Sequence, residues 1–183
     1  MAAEPQLLTA DDLLQMPDDG MRYELVRGEL RMSPPPGARH EEIAASIILR
    51  VGAYIHEHEL GRFYGAPGFR IERDPDTVRA PDFAFIAAGR LPGDASPRGY
   101  PEFGPDLIAE VVSPSDRATE VQEKIEQWLA AGVRMAWLVY PETRSVAVYR
   151  SPTNIRLLSA ADTIDGGDVL PGFTCLVRDL FPD

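Results

Sequence analysis

The stretch LIAEVV, from Leu107 to Val112, constrains this chain more than any other. It is apolar at every position but one, Glu110. An apolar run without alternation marks a strand buried on both faces. A lone carboxylate inside such a strand is costly unless it is paired, protonated or bound to a metal. The segment SDRATEVQEKIEQWLAAG follows as a helix, closed by Gly132 at its C′ position. A second strand, RMAWLVYP, comes next. A strand–helix–strand unit of this kind folds as a right-handed crossover between parallel strands. The expected architecture is therefore an α/β domain with a mixed β-sheet flanked by helices.

The rest of the chain fits around that unit. LTADDLLQM reads as a short helix with Thr9 as its N-cap. RYELVRGELRMS reads as a β-hairpin turning at Arg27-Gly28. These two form an N-terminal helix and hairpin extension. HEEIAASIILRVGAYIHEHEL carries apolar residues at Ile43, Ile47, Val51 and Ile55, the stripe of an amphipathic helix, and Gly61 is expected to stop it. RFYGAPGFRIE and PDFAFIAAG read as strands, and LPGDASPRGYPEFGP as a surface loop. RSVAVYRS is a further strand after a turn at Glu142-Thr143, and the tail should end in a helical turn near Leu180. At 183 residues the whole chain, 1–183, reads as one domain.

Composition excludes several classes. No apolar run approaches the length of a membrane span. The first residues lack the basic-then-apolar pattern of a secretory signal. Cys175 stands alone, so no internal disulfide forms and the cytoplasm is the expected compartment. The net charge of -11 counts against a strong, non-specific nucleic-acid binder.

Two further residues give Glu110 a context. Asp82 follows Pro81 at the start of the apolar strand FAFIA. Two carboxylates from neighbouring strands can meet at one point and hold Mg²⁺, which takes hard oxygen ligands. Lys124 is the only lysine among 18 basic residues, the others being arginine. It lies on the border of the apolar face made by Val121, Ile125, Trp128 and Leu129. From there its stem can run along the core and bring the ammonium to the sheet. A lysine supplies a compact charge and proton donor that an arginine fork does not reproduce. The plain alternatives are a structural Glu110–arginine pair and a lysine placed by chance.

These residues resemble the PD-(D/E)XK nuclease-like superfamily. Pro81-Asp82 matches its PD element and Glu110 its D/E. The strand lysine expected at position 112 is Val112 here, and Lys124 resembles the lysine that some branches carry on the following helix. RYELVRGEL, PPPGARHEEIA, RAPDFAFI, PDLIAEVVSPSD, the lysine and GVRMAWLVYPETRSVAVYR are similar, block by block, to the Uma-type family of restriction-endonuclease-like proteins.

The resemblance implies a restriction-endonuclease-like core and metal-dependent hydrolysis of phosphodiesters in nucleic acid, with DNA the expected substrate. Asp82 and Glu110 would hold Mg²⁺ or Mn²⁺, with a main-chain carbonyl near Val111 or Val112 as a further ligand. Lys124 would act beside them. Glu24 matches a family carboxylate and could complete the site, with Glu29 a weaker candidate and a solvated hairpin charge the alternative. His40 could contact phosphate or cap its helix. Arg70, Arg73 and Arg79, around the strand leading to Asp82, and Arg117, at the entry to the lysine helix, would mark the path of the nucleic acid if they cluster about Asp82, and would weaken that path if dispersed among acidic neighbours. A homodimer is expected, because two cuts in a duplex are simplest with two sites. The competing readings are a catalytically silent nuclease fold that binds nucleic acid or a partner protein, and an unrelated small-molecule metalloenzyme. His56 and His58 do not share a helix face and read as surface residues. Met135 and Trp137 read as core, and Ser113 and Ser115 as helix-capping residues.

Overall fold

The alternation of buried residues along three central strands determines the layering. In the computed structural model, which describes residues 7–91 and 98–182, these strands are β6 (Phe83–Ala87), β7 (Leu107–Val111) and β8 (Met135–Tyr140). Phe83, Phe85, Leu107, Ala109, Val111, Met135, Trp137 and Val139 face one hydrophobic cluster. Ala84, Ile86, Ile108, Ala136 and Leu138 face a second. The apolar run at β7 thus has one cause: both of its faces are covered.

Six strands make the central sheet, in the order β10-β9-β8-β7-β6-β3. The flanking members are β3 (Gly61–Gly65), β9 (Ser145–Ser151) and β10 (Asn154–Leu158). β7 and β8 pair in parallel, as the strand–helix–strand pattern requires, and the other ladders are antiparallel. The crossover helix, α4 (Ala118–Ala130), buries Ile125 and Trp128 against the second cluster. It ends in a Schellman motif: Gly132 takes φ +91, its N–H bonds Leu129 O, and Val133 N–H bonds Trp128 O.

The opposite face is covered by α2 (Ala38–Ile47), a π-helical turn (Ile48–Gly52) and α3 (Ala53–Glu57), which continue as one helix. Ile43, Ile47, Val51 and Ile55 are all buried on it. An apolar spacing of four drifts by about 40° per step around an ideal α-helix. The π turn, with i→i+5 bonding, takes up part of that drift and keeps the stripe on the sheet. The helix stops before Gly61. Glu59 adopts φ +51 at the C′ position and Leu60 N–H bonds Ile55 O, so the chain reverses on a glutamate, and Gly61 starts β3.

A smaller antiparallel sheet, order β2-β1-β5-β4, carries the N-terminal extension. Its strands are β1 (Arg22–Val26), β2 (Glu29–Ser33), β4 (Phe69–Glu72) and β5 (Thr77–Arg79). Arg27 and Gly28 take φ 50 and 79, the geometry of a two-residue type I′ hairpin. α1 (Ala10–Leu14) packs on this sheet through Ala10 and Leu13 against Leu25 and Val78, and Thr9 forms a capping box with Asp12. The segment read as RFYGAPGFRIE therefore splits between two sheets, and β5 is an element the sequence reading did not separate. The chain closes with β11 (Thr163–Asp165), β12 (Thr174–Leu176) and a 3₁₀ turn at Val177–Leu180. Part of the expected Pro/Gly loop, residues 92–97, lies outside the described residues.

Candidate active site

Asp82 sits just before β6, one residue beyond the Phe83–Ala109 pair that begins the β6–β7 ladder. That register carries it to the level of Glu110. Its side chain is 4% exposed. Asp82 Oδ2 accepts the backbone N–H of Val111 at 2.8 Å, and His40 Nε2 lies 3.2 Å from the same oxygen. Arg22 donates to Oδ1 at 3.2 Å. Pro81 supplies no N–H, so the chain turns from β5 into β6 without leaving a donor unpaired there.

Glu110 points from β7 toward α4. Lys124 and Trp128 are i and i+4 on that helix and share a face, and both reach the carboxylate. Lys124 Nζ donates to Glu110 at 3.0 Å and Trp128 Nε1 donates to Oε1 at 3.0 Å. The ammonium also donates to Ala80 O at 3.2 Å and lies 3.3 Å from Glu24 Oε1. Lys124 therefore joins α4 to the segment before Asp82 and to β1.

Glu24, in the middle of β1, joins the same cluster of charged side chains. It accepts Ala80 N–H at 2.8 Å and Arg79 Nη1 at 2.9 Å. Arg79 in turn donates through Nε to Gln127 Oε1 at 2.9 Å. The side chains of Lys124, Gln127 and Trp128 give α4 one polar edge inside an otherwise apolar contact.

The electrostatics follow from one ammonium shared among three carboxylates. Burial pushes Glu110 up from 4.5 to about 7; Lys124 opposes this, while the negative charges of Asp82 and Glu24 add to it. For Lys124, burial disfavours the charge, but Glu110, Glu24 and Asp82 together raise its pKa well above the usual range. Burial alone would raise Asp82, yet the His40 hydrogen bond and charge, the Val111 N–H and Lys124 hold it below its usual value. Glu24 is likewise lowered, because Lys124, Arg79 and the Ala80 N–H outweigh burial. His40 is raised, its burial outweighed by the hydrogen bond and charge of Asp82. Its Nδ1 is buried without a hydrogen-bond partner.

The donor set suits a hard divalent cation. Two carboxylates from adjacent strands supply oxygen ligands, and the raised Glu110 marks crowded negative charge that a cation offsets. The bond from Val111 N–H to Asp82 places the Val111 peptide at the same point. Among the described residues no group of three His, Cys, Asp or Glu side chains stands ready to hold a metal. Further ligands would have to be main-chain oxygen or water.

The expected basic path is distributed differently. Arg79 is buried and both ends of its guanidinium are engaged, so it props Glu24. Arg70 pairs with Asp76 at 3.5 Å and with Glu102, and Arg73 pairs with Glu102. Arg117 is exposed at the N-cap of α4, two turns before Lys124 and about 10 Å away along the same helix face. Glu29 is exposed and pairs with Arg31 on β2. Ser113 and Ser115 do not cap α4; Ser113 N–H bonds Asp116, closing a turn ahead of the helix. His56 and His58 are exposed, and Met135 and Trp137 are core, as their positions suggested. Arg22, Trp128 and Gln127 are the site residues that sequence reasoning did not single out. The i+3 and i+4 spacing of Gln127 and Trp128 from Lys124 was the available signal for two of them. Arg22 had its place beside Glu24 on β1.

The central mixed sheet with helices on both faces and an acidic pair at the ends of neighbouring strands defines a nuclease-like α/β domain. The chain belongs to the Uma2 family, described as "Putative restriction endonuclease", whose model matches residues 10–178. It is also similar to a solved structure from Anabaena variabilis ATCC 29413, described as "a putative nuclease belonging to DUF820". The TM-score is 0.82 and the identity 21%, over 95% of this chain and 97% of that one. At that identity the likeness speaks for the fold. No curated protein matches the chain.

Proposed function

We propose that this chain is a single-domain, metal-dependent nuclease that hydrolyses phosphodiester bonds of nucleic acid, with DNA as substrate, and works as a cytoplasmic homodimer. The observation that carries the reading is the meeting of Glu110, Glu24 and the Ala80 carbonyl at the Lys124 ammonium, with Asp82 close enough to feel the same charge. Family membership supports the nuclease class. The lone Cys175 supports a reducing compartment. Among the described residues no helix is long and apolar enough to cross a membrane.

Asp82 and Glu110, with the main-chain carbonyl of Val111, would hold Mg²⁺ or Mn²⁺. When bound, the ion neutralises phosphate charge and makes a water molecule more acidic. Lys124 donates to oxygen on which negative charge develops, from a partly shielded position where such a charge acts strongly. Trp128 fixes the orientation of Glu110. Glu24 holds the ammonium from the other side and is itself held by Arg79, which Gln127 steadies. His40 orients Asp82 through Nε2, and with Nδ1 buried its ring acts on the acid and not on a phosphate. Arg117, on the lysine face of α4, is placed for the flanking backbone.

A second reading has a specific observation in its favour. Every oxygen of Asp82 and Glu110 already has an N–H or cationic partner, and the net charge is -11. A silent nuclease fold that binds nucleic acid or a partner protein would keep such a self-satisfied network for stability. Mn²⁺ calorimetry on the wild type and on the Asp82→Ala/Glu110→Ala double variant, with plasmid cleavage in Mg²⁺, separates the two. The nuclease reading expects binding and cleavage that both vanish in the variant. A wild type that neither binds Mn²⁺ nor cuts would leave the binding-module reading.

A further inference from the structure

Arg22 occupies a position that Asp82's other partners do not. Asp82 Oδ2 is held by two fixed groups, the Val111 N–H at 2.8 Å and His40 Nε2 at 3.2 Å. Oδ1 accepts from Arg22 Nη1 at 3.2 Å. The guanidinium then reaches outward, and its Nη2 lies 3.4 Å from Glu41 Oε1. The Arg22 side chain is 39% exposed and that of Glu41 55%, against 4% for Asp82. The guanidinium therefore stands at the boundary between the buried acid and solvent. Its outer tether is an exposed ion pair, and such pairs contribute little.

We propose that Arg22 is an exchangeable counter-ion of Asp82, displaced from Oδ1 by a divalent cation and then free to grip a phosphodiester of the substrate. This rests on the metal-dependent reading above. A guanidinium and a divalent cation compete for the same carboxylate oxygen, and the doubly charged ion approaches it more closely. Oδ1 is where that competition takes place, because the partners of Oδ2 come from the backbone of β7 and from a largely buried ring on α2. Once released, the planar fork of Arg22 suits a phosphate better than an ammonium does. Its position on β1, two residues before Glu24, keeps it beside the site whichever partner it holds. Of the arginines expected to line the path, Arg79 is engaged with Glu24, and Arg70 and Arg73 with Glu102; Arg117 lies two helix turns from Lys124.

The test pairs two readouts that the proposal moves in opposite directions. Mn²⁺ affinity is measured by calorimetry on the wild type, Arg22→Gln and Arg22→Lys. Binding of a short fluorescein-labelled DNA duplex is measured by anisotropy with Ca²⁺ in the buffer. Arg22→Gln should bind Mn²⁺ at least about fivefold more tightly, the scale set by losing an ion pair whose cation is part-exposed and whose acid is buried. It should bind the duplex about tenfold more weakly. Arg22→Lys keeps the charge and guards against a folding defect: it should hold Mn²⁺ much as the wild type does, yet bind the duplex less well. Unchanged or weaker Mn²⁺ binding by a folded Arg22→Gln overturns the exchange and leaves the metal reading standing. Tighter Mn²⁺ binding with unaltered duplex binding removes the phosphate role. Absence of Mn²⁺ binding from all three proteins overturns both the inference and the reading beneath it.

Discussion

The indole N–H of Trp128 donates to Glu110 Oε1 at 3.0 Å, so a fully buried core residue of α4 also holds a candidate-site carboxylate. The ring meets Phe69 edge-on, with centroids 5.9 Å apart. Trp128→Phe keeps an aromatic ring in that space and deletes the donor. An acceptor left short of a partner in the interior costs about 1–3 kcal/mol. The variant should melt at lower temperature and cleave about ten- to a hundredfold more slowly in a plasmid assay. Cleavage at the wild-type rate would show that Glu110 needs no orienting donor.

Lys124 makes a different demand. Lys124→Arg retains a positive charge but enlarges the group placed among Glu110, Glu24 and Ala80 O. The fold should survive, as read by circular dichroism, while cleavage falls at least a hundredfold, because a guanidinium is a poor proton donor and does not fit a point-charge site. Lys124→Ala should also lose stability, since three carboxylates then share no ammonium. Wild-type turnover in Lys124→Arg would end the catalytic assignment.

The pH dependence has a definite sign. Glu110 is raised in the folded state from 4.5 to about 7 by burial. A carboxyl raised on folding favours the folded state fully below its unfolded value, and that contribution is lost as pH rises to about 7. Asp82 and Glu24 are lowered, so their stabilisation is present above their unfolded values and lost as pH falls through the folded ones. Glu110→Gln removes only the first effect. Thermal melts should show its stability relative to wild type shifting in its favour as pH rises from about 4.5 to about 7. Mn²⁺ affinity of the wild type should strengthen over the upper part of the same interval, as Glu110 loses the proton that competes for its oxygen. A pH-independent Mn²⁺ affinity would contradict the raised Glu110.

Glu24 separates support from chemistry. Glu24→Gln leaves Arg79, whose side chain is 10% exposed, without its carboxylate. Breaking a buried pair by removing one partner costs about 3 kcal/mol or more. Urea unfolding should show this loss. Gln127→Ala, which removes only the neutral partner of Arg79, should cost about 1 kcal/mol. Equal losses in the two variants would mean that Glu24 is no more than a surface charge.

Much of this was legible in the sequence where local chemistry and tertiary structure agree. β7 is apolar because both faces are covered, and the parallel β7–β8 pair follows from the helix between them. The stripe Ile43, Ile47, Val51 and Ile55, the Thr9 cap, the Gly132 terminus and the Arg27-Gly28 turn were all readable as periodicity or as turn residues. The candidate site was legible through Glu110 and Lys124, the one acid in an apolar strand and the one lysine in an arginine-rich chain, which the fold brings into contact. What escaped was long-range: whether Arg79 faces a groove or a carboxylate depends on Glu24, 55 residues away. The division of RFYGAPGFRIE between two sheets depends on which strands neighbour each half. The stop at Glu59 escaped because glutamate carries no local sign of a left-handed turn.

The π turn at Ile48–Gly52 has a consequence for how the helix is seated. It divides one helix into two rotational phases. The N-terminal phase carries His40 and Glu41 at the site, and the C-terminal phase carries Ile55 against the sheet. Both phases are seated on the sheet, the first through Ile43 and Ile47 and the second through Ile55, so the turn keeps each in register with the core. The helix thus works as two shafts joined by a coupling, each keyed to the sheet by its own isoleucines, and His40 reaches Asp82 from the shaft that Ile43 and Ile47 hold.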